Sequence, residues 1–254
     1  MKRLFAFGCS FTQYWRWPTW ADALGRQAPW FENWGLCGAG NCYIFYSIME
    51  CHRRYNLGPG DSVFVMWSNT SREDRYVRDH WLEGGNVYWL TGNALGEDYI
   101  RRFACERGYL IRDLAVIAAT HDLMQSWACD YRSFSMVPLD QTNHSSDLGD
   151  NPAVPGSDDQ DVRDLYKSTL AAIGPSVYEV IFAGDWHSRP GIPDINDSGR
   201  RDFHPTPMEH VEFLDHVMPG IITADTRAWM QAAESQARQG DLTWNQPYRP
   251  QRRL

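Results

Sequence analysis

The sequence predicts a single α/β domain over residues 1–254: a three-layer α/β/α arrangement in which five parallel strands are covered by helices on both faces. Three observations carry this. Short apolar runs alternate with longer helix-like stretches along the chain. No Gly/Ser-rich or Pro-rich linker divides the 254 residues into halves. Apolar residues make up 43% and charged residues 22%, the balance of a globular chain that buries a core without disulfide staples.

The runs that read as strands are 3–8 (RLFAFG), 30–34 (WFENW), 62–67 (SVFVMW), 131–137 (YRSFSMV) and 178–182 (YEVIF). Between them, 19–27, 41–55, 97–127 with a break near Gly108, and 161–173 read as helices, giving a flavodoxin-like order of elements. Residues 207–217 and 224–239 read as two further helices, the second stopped by Gly240; they form part of a C-terminal extension whose tail completes 221–254. Two insertions stand out. Residues 80–95 contain Gly84-Gly85-Asn86 and Gly92-Asn93 on either side of VYWLT, the pattern of a hairpin. Residues 140–161 form a long polar loop; its Asp147, Asp150, Asp158, Asp159 and Asp161 lack the spacing of a calcium loop, and no metal or cofactor is expected.

A net charge of -8 argues against nucleic acid as a partner, because phosphate neutralisation needs clustered Lys and Arg. The one basic cluster, Arg249, Arg252 and Arg253, reads as a solvated tail. The cysteines at 9, 37, 42, 51, 105 and 129 contain no C-x-x-C pair, so reduced, partly buried thiols are expected rather than a zinc site or redox motif. The apolar run after Lys2-Arg3 is too short for a signal peptide and leads directly into a candidate site, so cytoplasmic residence is expected. No stretch has the length of a transmembrane helix, and no membrane partner is expected.

In a parallel α/β sheet, ligands bind beyond the carboxyl ends of the strands, where loops and helix N-termini converge. Gly8-Cys9-Ser10-Phe11-Thr12 follows the first strand. Asn33-Trp34-Gly35-Leu36-Cys37-Gly38-Ala39-Gly40-Asn41 follows the second, and Trp67-Ser68-Asn69-Thr70 the third. A long loop after the fifth leads to Asp202-Phe203-His204-Pro205. Taken singly, Ser10 reads as a helix cap, the glycines as a tight turn, Asn69 as a loop-satisfying side chain and His204 as a surface residue. No single one of those readings accounts for all four positions.

These segments, from Gly8 to His204, resemble the ordered blocks of the SGNH/GDSL hydrolases. Gly8-Cys9-Ser10 with Thr12 is similar to the first block, Gly38 to the second-block glycine, Asn69 to the third-block asparagine and His204 to the last-block histidine. The resemblance implies a serine esterase acting through an acyl-enzyme. Ser10 is then the nucleophile, His204 its base and Asp202 the acid, with an oxyanion hole from the N–H groups of Ser10 and Gly38 and the side-chain amide of Asn69. Three departures stand against it. Cys9 replaces the usual Asp, Trp67-Ser68 stands where the third block has Gly-x, and Asp202 lies two residues before His204 where the family has three. Asp185-Trp186-His187 has the same Asp-x-His spacing and competes for the role.

Twelve tryptophans is a high count. Most serve packing, but those on loops, Trp15, Trp81 and Trp89, suit a stacking platform for sugar rings, which points to a carbohydrate or small-molecule ester, most simply an O-acetyl ester. Acyl transfer to a sugar hydroxyl uses the same residues. The alternative class is a non-catalytic binding protein on the same scaffold, a homo-oligomer or a virion component, since similar short chains are encoded by tailed phages.

Overall fold

A computed structural model describes residues 3–82, 85, 95–139, 159–193 and 201–240. From β1 (Arg3–Phe7) the chain passes through α1 (Trp20–Gly25) to β2 (Phe31–Asn33), then through α2 (Asn41–Tyr55) to β3 (Asp61–Trp67). A small hairpin, β4 (Tyr76–Val77) and β5 (His80–Trp81), precedes α3 (Glu97–Phe103), α4 (Glu106–Trp127) and β6 (Asp130–Ser135). Three short helices follow, α5 (Gln160–Leu165), α6 (Lys167–Ala171) and α7 (Val177–Val180). A second small antiparallel pair, β7 (Ile192–Pro193) and β8 (Arg201–Asp202), leads to α8 (Pro207–Val217) and α9 (Ala224–Arg238).

The main sheet is parallel throughout, in the order β2-β1-β3-β6. All seven residues of β3 and four of the five in β1 are buried, as parallel strands covered on both faces require. The helices fall into two packed groups, α2 with α4, and α1 with α8 and α9, so the expected α/β class is the one observed. The core between them gathers Leu4, Phe5, Phe7, Trp20, Ile44, Phe64, Trp67 and Phe213.

The fifth strand is a correction. Residues 178–182 are apolar enough for a strand, but Ser176-x-x-Glu179 is a capping box: Ser176 Oγ accepts from Glu179 N–H and the Glu179 carboxylate accepts from Ser176 N–H. That pair starts a helical turn, α7, and the main sheet has four strands among the described residues. A strand-like trace remains alongside β6 in a single parallel bridge, Ser135 to Ser176, flanked by Gly174 N–H to Ser133 O and Tyr178 N–H to Met136 O.

Other differences are local. The break in the long helix falls at Ala104-Cys105, where Cys105 Sγ accepts from Gly108 N–H and starts α4. The helix expected over 161–173 is divided at Tyr166, whose φ of -100° and ψ of 20° leave the helical well. The β4-β5 hairpin, which the sequence reading did not include, turns through Arg78 in the left-handed region, φ 59°. Trp89, most of the expected hairpin, the acidic loop over 140–158 and the basic tail lie outside the described residues. Among the described residues no helix is long and apolar enough to cross a membrane.

Candidate active site

The turn after β1 is built on close approach. A Cβ on Gly8 would lie 2.0 Å from Thr12 Oγ1 and 2.9 Å from the Met66 carbonyl oxygen, so only glycine lets the chain fold back there. The N–H groups of Thr12 and Gln13 both donate to Cys9 O, at 2.9 and 3.0 Å. The Thr12 carbonyl in turn accepts from Thr19 Oγ1 at 2.6 Å and Asn33 Nδ2 at 2.7 Å. Ser10 sits in this pinned turn and is buried. Cys9 is fully buried beside it with its thiol turned to Met136 Sδ at 3.8 Å, a packing role in the position where the resembling family carries Asp.

Asp202 ends β8, and the start of α8 lies five residues further on. That start is fixed by Thr206 and Glu209 in a second capping box, and by Glu234 of α9, which accepts from Thr206 Oγ1 and Met208 N–H. His204 stands between the two fixed points. Its Nε2 lies 3.0 Å from Ser10 Oγ, and its Nδ1 lies 2.7 Å from Asp202 Oδ1, which also accepts from His204 N–H at 3.0 Å. The hydrogen-bonded run Ser10–His204–Asp202 has the connectivity of a nucleophile, a base and the group that orients the base.

The outer oxygen of the acid is equally occupied. Asp202 Oδ2 accepts from Tyr14 Oη, and Arg16 donates to it at 2.7 Å while reaching Pro193 O with its other terminal nitrogen. The Tyr14 ring lies on the His204 ring at 4.2 Å between centroids and 18° between planes, and Phe11 meets the imidazole edge-on. Burial pushes the Asp202 carboxyl up, but the hydrogen bond and charge of His204, with the Tyr14 hydroxyl, outweigh it and hold the group well below the usual carboxylate range. Burial and the adjacent Asp202 charge push the Tyr14 phenol up, so it stays a donor. Neither Tyr14 nor Arg16 was legible as a site residue; both lie inside the aromatic run Tyr14-Trp15-Arg16-Trp17, which carries no spacing signal.

Gly38 and Asn69 stand in the loops after β2 and β3, on either side of the Ser10 loop, because β1 lies between those strands. Gly38 has φ 78°, and its carbonyl accepts from Gly85 N–H. Asn69 Oδ1 accepts from Ser71 N–H at 2.6 Å, which leaves the NH2 end of the amide as the donor available to a ligand. The two loops are cross-braced. Asn41 exchanges two hydrogen bonds with the Ser68 backbone, Oδ1 from its N–H at 2.8 Å and Nδ2 to its carbonyl at 3.1 Å. Asp74 accepts from the N–H groups of Gly40 and Tyr43 at the start of α2, and Arg72 donates to Ala39 O. Asp113 of α4 accepts a second bond from Asn41 Nδ2 at 2.9 Å and is paired with Arg112 at 2.7 Å; burial pushes its carboxyl up to about 7 against those partners.

The competing histidine is placed elsewhere. Asp185 Oδ1 accepts from the backbone N–H of His187, and the His187 ring packs edge-on against Phe203. Trp15 is 49% exposed beside Tyr14 and Arg16, next to the His204 stack. Trp81 is partly buried on α2, stacked on Tyr46 and met edge-on by Tyr43 and Tyr76. No group of three or more His, Cys, Asp or Glu side chains is set to hold a metal among the described residues.

No protein-family model matches the sequence, and no curated protein does. Among solved structures, the chain is similar to a member of the lipolytic protein G-D-S-L family from Veillonella parvula DSM 2008, at 13% identity and a TM-score of 0.45, over 85% of this chain and 97% of that one. It is also similar to the psychrotrophic esterase EstA from Pseudoalteromonas sp., in a structure inhibited by monoethylphosphonate, at 10% identity and a TM-score of 0.40, over the same shares of each chain, 85% and 97%.

Proposed function

We propose that this chain is a serine ester hydrolase of SGNH type that cleaves an O-acyl group, most simply acetyl, from a carbohydrate or small molecule through an acyl-enzyme. The observation that carries the reading is the unbroken run Ser10 Oγ to His204 Nε2 and His204 Nδ1 to Asp202 Oδ1. Ser10 Oγ attacks the ester carbonyl as His204 Nε2 takes its proton; Asp202 fixes the tautomer that leaves Nε2 free to accept and stabilises the imidazolium. The tetrahedral oxyanion is received by the N–H groups of Ser10 and Gly38 and by the Asn69 amide. Collapse expels the alcohol, which takes the proton from His204, and a water activated by the same imidazole then releases the acid and regenerates Ser10.

Trp15, exposed beside the imidazole stack, supports a carbohydrate as the alcohol. The test is release of p-nitrophenol from its acetate ester by the wild-type chain and by Ser10→Ala, each checked for folding by circular dichroism. Turnover present in the first and lost in the second is expected; acetylated sugars then identify the ester. Equal rates in both, or none in either on any ester offered, would return the chain to the class of non-catalytic scaffolds.

A further inference from the structure

The outer oxygen of Asp202 carries more partners than the Ser10–His204–Asp202 run requires. It accepts from a tyrosine hydroxyl and a guanidinium, and the Arg16 side chain is only 1% exposed. Burying an arginine against a catalytic acid is costly, since its charge must be desolvated. It also weakens the negative field that Asp202 presents to the imidazole. Yet the backbone around the acid offers little restraint, because β8 is two residues long and pairs only with the equally short β7. The His204 N–H holds Oδ1 from within the segment, and the loop after β1 holds Oδ2 from outside it.

We propose that Tyr14 and Arg16 are positioning residues for the base: together they anchor Asp202 Oδ2, which aims Oδ1 at His204 Nδ1, and Arg16 shares the carboxylate charge. The inference rests on the reading of Ser10, His204 and Asp202 as an acyl-transfer site. Tyr14 adds a second constraint, because the ring that bonds the acid through its hydroxyl also covers one face of the imidazole. The titratable and charged groups around His204 are Asp202 from β8, Tyr14 and Arg16 from the loop after β1, and His210 from α8, with Cys37 facing Tyr14 from the loop after β2. Of these, Arg16 is the cation that offsets Asp202.

The test follows the His204 imidazole by NMR titration in the full chain, its resonance assigned by its loss in His204→Ala. Arg16→Met is expected to raise the His204 midpoint by about one pH unit, because an opposite charge left unshared favours the imidazolium. Tyr14→Phe, which keeps the ring stack and removes only the hydroxyl, raises it by less, and Arg16→Lys stays near wild type. The acidic limb of kcat/KM on p-nitrophenyl acetate moves upward with the midpoint while KM holds. An Arg16 that serves only as a structural ion pair lowers the amount of folded protein and leaves the midpoint in place; unchanged midpoints in Arg16→Met and Tyr14→Phe overturn the proposal. Should Arg16→Met fail to fold, Tyr14→Phe decides. The titration needs no turnover, so a shifted midpoint without Ser10-dependent activity overturns the hydrolase reading alone, and a constant midpoint with activity overturns the positioning role alone.

Discussion

His210 makes the stability of this chain sensitive to mild acid. It lies in the first turns of α8, is 1% exposed, and its Nδ1 is buried without a hydrogen-bond partner. Burial, reinforced by the neighbouring His204, pushes its imidazole down from 6.5 to about 3. The unfolded chain therefore binds a proton there that the folded chain refuses. Stability from this residue is complete above 6.5 and is lost as the pH falls towards 3. Between pH 7 and pH 4.5 the loss amounts to about 2.5 kcal/mol, at roughly 1.4 kcal/mol per unit below the unfolded value. With a urea m-value of about 2–3 kcal/mol/M, that is a fall of about 1 M in the midpoint. Asp22 and Asp113, pushed up by burial to about 6 and about 7, work in the opposite sense, since there the folded chain holds the extra proton. A comparison with His210→Leu cancels them, because both carboxylates are present in each protein. The wild type is expected to lose about 1 M more than His210→Leu between the two pH values. Parallel losses in the two proteins would refute the reasoning, whatever their absolute stabilities.

Two further outcomes follow from the site. Asp202→Asn is expected to lower kcat by about 10⁴ with little change in KM, as loss of the tautomer-fixing acid does in serine hydrolases, and steady-state kinetics on p-nitrophenyl acetate checks it. Because the change also leaves the buried Arg16 without its anion, a stability loss of about 3–5 kcal/mol in urea unfolding accompanies it. Asn41→Ala leaves the Ser68 N–H and carbonyl buried without the Asn41 partner; at about 1–3 kcal/mol for each of these two groups, a total of about 2–6 kcal/mol is expected in the same unfolding measurement. A loss below about 1 kcal/mol would mean that water or a neighbour replaces the Asn41 amide.

The α/β class, the first three sheet strands and both C-terminal helices were readable because each rests on a local signal: an apolar run for the strands, and Thr206-x-x-Glu209 behind a proline for α8. The fifth strand failed because two local signals conflicted over 176–182. The apolar content of YEVIF favours a strand, and the capping box Ser176-x-x-Glu179 favours a helix; the reciprocal hydrogen bonds decide it. Ser10, His204 and Asp202 stood out as candidates by their place after strands and before a helix, and the structure brings their side chains into one hydrogen-bonded run. Tyr14, Arg16, Asn41 and Asp113 did not stand out, because their roles depend on which distant segment each meets, 188, 186, 27 and 72 positions away in the principal contacts. No periodicity records such a contact.

Those long-range contacts explain why a site made of loops can hold a geometry at all. The Ser10 turn is tied to the loop after β2 through Asn33, whose Nδ2 donates to Thr12 O while its Oδ1 accepts from Gly35 N–H. That loop is tied to the one after β3 through Asn41 and Asp74, and Asn41 is tied to α4 through Asp113. The acid is tied back to the first loop through Tyr14 and Arg16, and Trp17 of that loop donates to Pro205 O, one residue beyond His204. Each loop is thus held by a side chain from another, and displacement of one is resisted by buried polar groups that would lose their partners. The replacement of the fifth strand by α7 lies at the far edge, beyond β6, and takes no member from this set of ties. The polar framework of the candidate site lies in the loops after β1, β2 and β3, with Asp202 of β8 tied back to it, while α7 stands beyond the β6 edge of the sheet.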